Sequence, residues 1–237
     1  DCIAGIFSQL VVQAVSLIFI FIVFQNTENI VGWSFEQILL LYGVTRISIG
    51  ISGYCFDELF DIGPRYIRSG EFDKILLRPV HPLISIIGAS REFVSIADFF
   101  IGLGITMYML YRLAIPITIL LIIKIIFFSI VGALIIGAIN TIFSISSFWT
   151  YRSNEVIWSF YRMYTFAEYP LDIYNGFIKI LITVILPFAF VAYYPTMDYL
   201  GLNNYMIYLS PIIAIILWII AIKLWNLALN KYRSTGT

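Results

Sequence analysis

The chain has 237 residues, of which 61% are hydrophobic and only 12% charged. Soluble domains run at about 45–50% apolar and about 25% charged, and 14 Lys and Arg against 14 Asp and Glu leave no net charge to keep so apolar a surface in water. This balance excludes a soluble globular protein and a nucleic-acid binder, which needs a basic face, and leaves an integral membrane protein. Cys2 and Cys55 form no disulfide framework or CxxC pair, and the lone His81 cannot complete a zinc site with them. The chain opens at Asp1 and turns apolar at once, which reads as a mature or trimmed start. No signal peptide with a charged front and a small-residue cleavage site is visible.

A helical span needs about 20 mostly apolar residues. The first is expected over Ile3 to Phe24, before the polar run Gln25 to Asn29. The second covers Phe35 to Tyr54, with Trp33 just ahead of it at interfacial depth. Residues 55–82 are the most charged stretch. The third span covers Leu83 to Tyr111, with Arg91, Glu92 and Asp98 in its first half. The fourth, after Pro116, runs from Ile117 to Ser147 and is long enough that it must tilt, bend near Gly132 and Gly137, or project from the bilayer. Residues 150–176 mix charges with an aromatic set: Tyr151, Trp158, Tyr161, Tyr164, Phe166, Tyr169 and Tyr174. They read as an interfacial amphipathic helix ended by Tyr169-Pro170, or as a second contact surface. The fifth span is Phe177 to Tyr194, where Pro187 kinks the helix as a gate or a plain bend. The sixth is Tyr205 to Leu227. The fold class is all-α integral membrane: six spans in one domain over residues 1–237, with no repeats.

Basic residues orient the spans. Arg65, Arg68, Lys74, Arg78 and Arg91 lie between spans two and three; Arg152, Arg162 and Lys179 between four and five; Lys231 and Arg233 in the tail. Cytoplasmic loops collect Lys and Arg, so both termini and these two loops are placed inside. Lys124 is read as snorkelling to the headgroups, against a pore role. Arg46 and Asp98 are the deepest charges, and are expected to pair or reach an interface, because an isolated charge at mid-bilayer costs about 2.5–3.5 kcal/mol. No P-loop, HExxH or GxSxG motif is present, so the chain carries no energy source of its own. Gln9, Gln13, Ser16, Thr45, Ser48 and Ser52 form the polar minority of spans one and two and are expected to face protein.

The segment Asp57 to Gly70 reads as an extension of span two, kinked at Gly63-Pro64 and stopped by Gly70 in a left-handed cap. Glu71 to Arg78 is a short amphipathic helix with Phe72, Ile75, Leu76 and Leu77 on one face. Acidic residues open it and basic ones close it, as the helix dipole favours, and Pro79 and Pro82 end it.

Four blocks carry a family likeness: Gly70-Glu71-Phe72-Asp73-Lys74-Ile75-Leu76-Leu77-Arg78-Pro79-Val80-His81-Pro82-Leu83, Gly32-Trp33-Ser34, Tyr169-Pro170-Leu171-Asp172-Ile173-Tyr174, and Leu186-Pro187 through Tyr194-Pro195. Each alone is weak; together, in family order, they resemble the six-span membrane subunits of type 2 ABC transporter permeases. Phe72 stands where the family often has Leu. Such permeases begin with a cytoplasmic stretch and an interfacial elbow helix ahead of span one.

The resemblance implies a bacterial cytoplasmic-membrane exporter subunit, paired with an identical or homologous permease and docked on two separate P-loop ATPase subunits. ATP and Mg²⁺ would reside on those partners, so the chain itself is no enzyme and holds no cofactor. The 71–78 helix would be the coupling helix. Glu71, Asp73, Lys74 and Arg78 would make its polar contacts with the ATPase, and Phe72 and Leu76 would be its apolar plugs, with Gly70, Pro79 and Pro82 shaping the loop. Spans one and two would wall a sparsely polar path for hydrophobic or amphipathic cargo. A self-contained secondary transporter or channel is the alternative; it predicts a buried coupling charge. A lipid enzyme would need Asp172, His81 and Glu168 to converge.

Overall fold

The computed structural model describes residues 2–150, 155, 159, 162–202 and 205–232, all helix or connection apart from the turn at Ile30–Trp33. Tyr151, Arg152, Trp158, Tyr161 and Arg233 lie outside the described residues.

Helix α1 (Cys2–Gln25) is mostly apolar, with a short polar strip at Gln9, Gln13 and Ser16. In the Ile30–Trp33 turn the two end residues exchange backbone hydrogen bonds at 3.0 Å, with Val31 and Gly32 both at positive φ. Helix α2 (Phe35–Phe56) starts on a capping box: Ser34 accepts from the Gln37 backbone N–H, and the Gln37 side chain accepts from the Ser34 N–H. Past Phe56 the helix tightens to 3₁₀ over Asp57–Asp61 and widens to π over Ile62–Ile67 around Gly63-Pro64. Proline lacks the N–H that a regular turn would use there. Gly70, at φ 73°, reverses the chain into α3 (Glu71–Leu76).

Span three is not one helix. It is split into α4 (Pro82–Ile87) and α5 (Ser95–Arg112). In the intervening stretch the Glu92 carboxylate accepts from the Val94 N–H at 3.1 Å. Helix α5 packs along α2 through missing side chains. A Cβ on Gly43 would stand 2.6 Å from Thr106 Oγ1, one on Gly50 2.5 Å from the Phe99 nitrogen, and one on Gly102 2.7 Å from the Ile47 nitrogen. Small residues let helix backbones approach where lipid offers no hydrophobic drive. Helix α6 (Ile119–Ser144) continues as 3₁₀ through Phe148 without bending at Gly132 or Gly137. These glycines are notches: Gly132 admits Ser48 and the Val191 carbonyl, and Gly137 admits the Phe56 ring.

The bundle has two distinct ends. At one, Trp33 opens α2 and Arg112 of α5 reaches Glu36 at 3.3 Å. At the other, Phe72 packs against Phe148 from α6 and Tyr232 from the tail, with ring centroids at 5.3 and 4.9 Å. Between the ends runs the segment expected to be interfacial. Met163–Glu168 and Leu171–Ile173 are 3₁₀ turns, and Tyr164, Ala167, Glu168 and Leu171 are buried. The Tyr164 hydroxyl donates to Asn140, the Ala167 carbonyl accepts from Thr45 at 2.9 Å, and Asp172 accepts from Trp33 Nε1 at 3.2 Å. So this stretch climbs inside the bundle, along α2, from the deep half to the Trp33 end. Its second half does not lie on a membrane surface.

The expected fifth span differs correspondingly. Helix α7 (Gly176–Ile180), with its π continuation to Ile185, and Phe188–Tyr199, which contains α8 (Tyr193–Tyr199), meet at 70°. Leu186-Pro187 form the break. Lys179 bonds Asp172 at 3.2 Å before the break and Tyr193 bonds it at 2.8 Å after, while Val191 reaches Gly132 midway along α6. The segment therefore enters and leaves at the Trp33 end as a re-entrant hairpin. Lys179, expected at the opposite end with the other basic residues, sits here. Helix α9 (Ser210–Leu229), preceded by a 3₁₀ turn from Tyr205, returns the chain to the Phe72 end.

Four helices of the described residues are long and apolar enough to cross a membrane: Ala4–Gln25, Phe35–Ile67, Ile119–Phe148 and Tyr205–Leu229. The bent pair would be a fifth if counted as one span. Helix α5, with Asp98 and Arg112, is not among them.

The α2–α5 seam gives a direct test. Gly50→Ala should destabilise the protein by about 1–3 kcal/mol through overpacking, read as a lower melting temperature in detergent. Gly104→Ala, with nothing within 4 Å of the added Cβ, should leave it unchanged or slightly raise it.

Candidate functional site: a buried charge cluster and a helical platform

Arg46 lies midway along α2 with its side chain 8% exposed. An unpaired guanidinium at that depth would be expensive, and two carboxylates meet it. Glu168, from the climbing segment, stands 2.5 Å from Nη2, and Asp98, from α5, 3.3 Å from Nη1. The guanidinium also lies over the Tyr42 ring at 4.8 Å. One cation faces two acids, and the surplus acceptor capacity is taken up by amides. Gln9 Nε2 donates to Asp98 at 2.7 Å, and Gln13 Nε2 donates to its other oxygen. The cluster thus joins α1, α2, α5 and the 163–168 turn. The expected Arg46–Asp98 pair is present, but Glu168, weighed in the sequence only as a member of a lipid-enzyme set, is the second acid. Nothing in its spacing ties Glu168 to a position 122 residues earlier.

Lys124 pairs with Asp198 of α8 at 2.7 Å, and the Tyr199 hydroxyl donates to its carbonyl at 3.3 Å. These bonds tie the returning arm of the hairpin to α6. Asp172 does the same for the hairpin's other contacts, accepting from Trp33, Lys179 and Tyr193. Trp33, Asp172 and Tyr193 come from three separate sequence blocks that carry the family likeness.

The Gly70–Pro82 platform sits at the Phe72 end. The ring of Phe72 is fully buried, edge-on to Phe148 and Tyr232. The Phe72 plug expected to enter a partner instead anchors α3 to the chain's own base, because the hydrophobic face of a six-residue helix is used up by that packing. Ile75 is buried beside it. Asp73 accepts from the Tyr232 hydroxyl at 3.1 Å. Burial, together with that carboxylate, pushes the Tyr232 hydroxyl up to about 12, so it stays a donor at neutral pH. His81 shares a 3.0 Å hydrogen bond with Asn226 of α9. Glu71 is half exposed, 3.9 Å from Arg65. Lys74, Arg78 and Pro79 are exposed, and Pro82 opens α4 at its first turn. Leu76, Leu77 and Val80 are 43, 87 and 48% exposed. Val80 is missing from the expected contact set, and Leu77 is expected only on the apolar face with Phe72; the helix ends at Leu76, so both lie past it.

Removing Arg46 should cost more than removing the whole ionic pair. Arg46→Met strands two buried carboxylates, a loss of about 3–5 kcal/mol, measured as folded yield and melting temperature. Adding Glu168→Gln in the same chain should recover part of it.

A model of the family described as ABC-2 family transporter protein matches residues 10–236. No curated protein and no solved structure matches the chain.

Proposed function

The chain belongs to the ABC-2 transporter family and is an ABC permease of multi-pass membrane type, and from that premise we propose that it is the membrane subunit of an ATP-driven exporter. Power would come from two separate ATPase subunits seated on the Gly70–Pro82 platform of this chain and of a second permease, identical or homologous. The observation that carries this reading is the platform's construction: an exposed Lys74, Leu76, Leu77, Arg78, Pro79, Val80 surface on a helix welded by Phe72 to α6 and the tail after α9. A partner's movement there cannot be absorbed by a floppy loop. It passes into α2, α6 and α9 together.

The reading has the chain cross six times. With an even number of crossings both termini share a side. The distribution of cations favours the Phe72 end as cytoplasmic. Arg68, Lys74 and Arg78 are exposed there, whereas Arg112, Lys124 and Lys179 at the Trp33 end are each paired with an acid. Cargo is expected to be hydrophobic or amphipathic, since the only polar side chains offered by α1 are few and Gln9 and Gln13 are already engaged.

Two variants separate docking from transmission. Leu77→Asp should abolish co-purification of a P-loop ATPase while the chain still inserts. Phe72→Ala should keep the ATPase bound but cut ATP-dependent uptake of an amphipathic dye into inverted vesicles about tenfold or more. Undiminished ATPase binding in Leu77→Asp would overturn the reading.

A self-contained transporter is the second reading, favoured by the buried acids around Arg46. It requires gradient-driven transport in vesicles free of nucleotide.

A further inference from the structure

Where α2 tightens into its 3₁₀ extension, a cavity of about 20 Å³ lies between α2, α5, α6 and the Tyr164 turn. That is room for a single water-sized body, since one needs about 10–15 Å³. Its polar walls are all oxygen-bearing: Ser52, Asp57, Ser95, Asn140 and Tyr164. Ile49 and Ile136 close the apolar side. Two features set the space apart from a packing defect. Ser52 is 2% exposed, and its hydroxyl has no hydrogen-bond partner. Asp57 is half-buried, and among the described residues none donates a hydrogen bond to its carboxylate or stands against it as a cation. Its charged neighbours are all acids, Glu58, Asp61 and Glu92, and Glu58 is already engaged by Arg65 and Tyr66 at 2.5 and 2.6 Å.

We propose that Ser52, Asp57, Ser95, Asn140 and Tyr164 form a binding site for one dehydrated monovalent cation of sodium's size. A water molecule could satisfy the Ser52 hydroxyl but brings no positive charge to a carboxylate whose charged neighbours are themselves acids. A divalent ion does not suit the site. Ca²⁺ takes about 6–8 oxygens and Mg²⁺ retains several waters, whereas this cavity holds one body and offers one carboxylate. Among the described residues no group of three or more His, Cys, Asp or Glu could hold a metal. The Tyr164 hydroxyl donates its proton to Asn140 Oδ1, so that proton does not oppose a cation in the space. The bound ion would pin the base of α2 to α5, α6 and the Tyr164 turn immediately above the platform. The proposal stands apart from the ATPase reading, because it concerns ion binding to the permease itself.

The test is thermal melting of the full chain in lipid nanodiscs, titrated with NaCl against choline chloride at constant ionic strength. Sodium should raise the melting temperature with the logarithm of its concentration, by about 3–5 °C at ten times the dissociation constant, and choline should not. Asp57→Asn should abolish the rise, and Ser52→Ala should weaken the apparent affinity about tenfold. An equal rise in Asp57→Asn would overturn the proposal. So would no difference between sodium and choline in the unmodified protein, which would leave a water molecule as the occupant. If Asp57→Asn does not fold, a sodium-dependent rise in Ser52→Ala equal to that of the unmodified protein at every concentration overturns it equally.

Discussion

A guanidinium at mid-depth in an apolar bundle has to be satisfied by protein, since lipid offers neither charge nor hydrogen bonds. Arg46 imposes that demand, and its partners explain much of the arrangement around it. Asp98 fixes the face that α5 turns to α2, and the glycines of the seam allow the approach. Glu168 explains why the stretch after α6 runs inward: a buried acid in that turn finds its counter-charge only alongside α2. Asp98 in turn holds α1 through Gln9 and Gln13. The cluster is thus less a pathway for charge than a knot at which four segments meet.

Features governed by local rules were legible in the sequence. The limits of α1, α2, α6 and α9 follow from runs of apolar residues, the reversal at Gly70 from a left-handed backbone, and the end of α3 from Pro79. The break at Pro187 was readable for the same reason, although its outcome was not. A proline and an apolar run of about one span's length describe a bent crossing and a re-entrant hairpin equally well. What decides between them is Asp172, whose bonds to Lys179 and Tyr193 hold both arms at one end. Those contacts are tertiary, and no periodicity encodes them. The same holds for Phe72. Its place on an amphipathic face is visible in the sequence, but whether that face meets a partner or the chain's own Phe148 and Tyr232 depends on segments far along the chain.

The two ends are built on different electrostatic plans. At the Trp33 end, Arg112, Lys124 and Lys179 are neutralised by Glu36, Asp198 and Asp172, so the hairpin lies over a surface of closed pairs. At the Phe72 end, Arg68, Lys74 and Arg78 remain exposed beside exposed leucines. One end is finished within the chain; the other presents unsatisfied chemistry. Both are connected by α2, which runs from the capping box at Ser34 to the widened turns before Gly70.

The attachment of α1 has a bearing on how the protein is made. Its polar anchors, Gln9 and Gln13, bond a carboxylate 89 and 85 residues further along, and only 11% of its apolar window is buried inside the bundle. The side-chain bonds that lock α1 to the bundle can therefore close only when α5 is in place, so the docking of this helix is governed by a single carboxylate encoded far downstream of it.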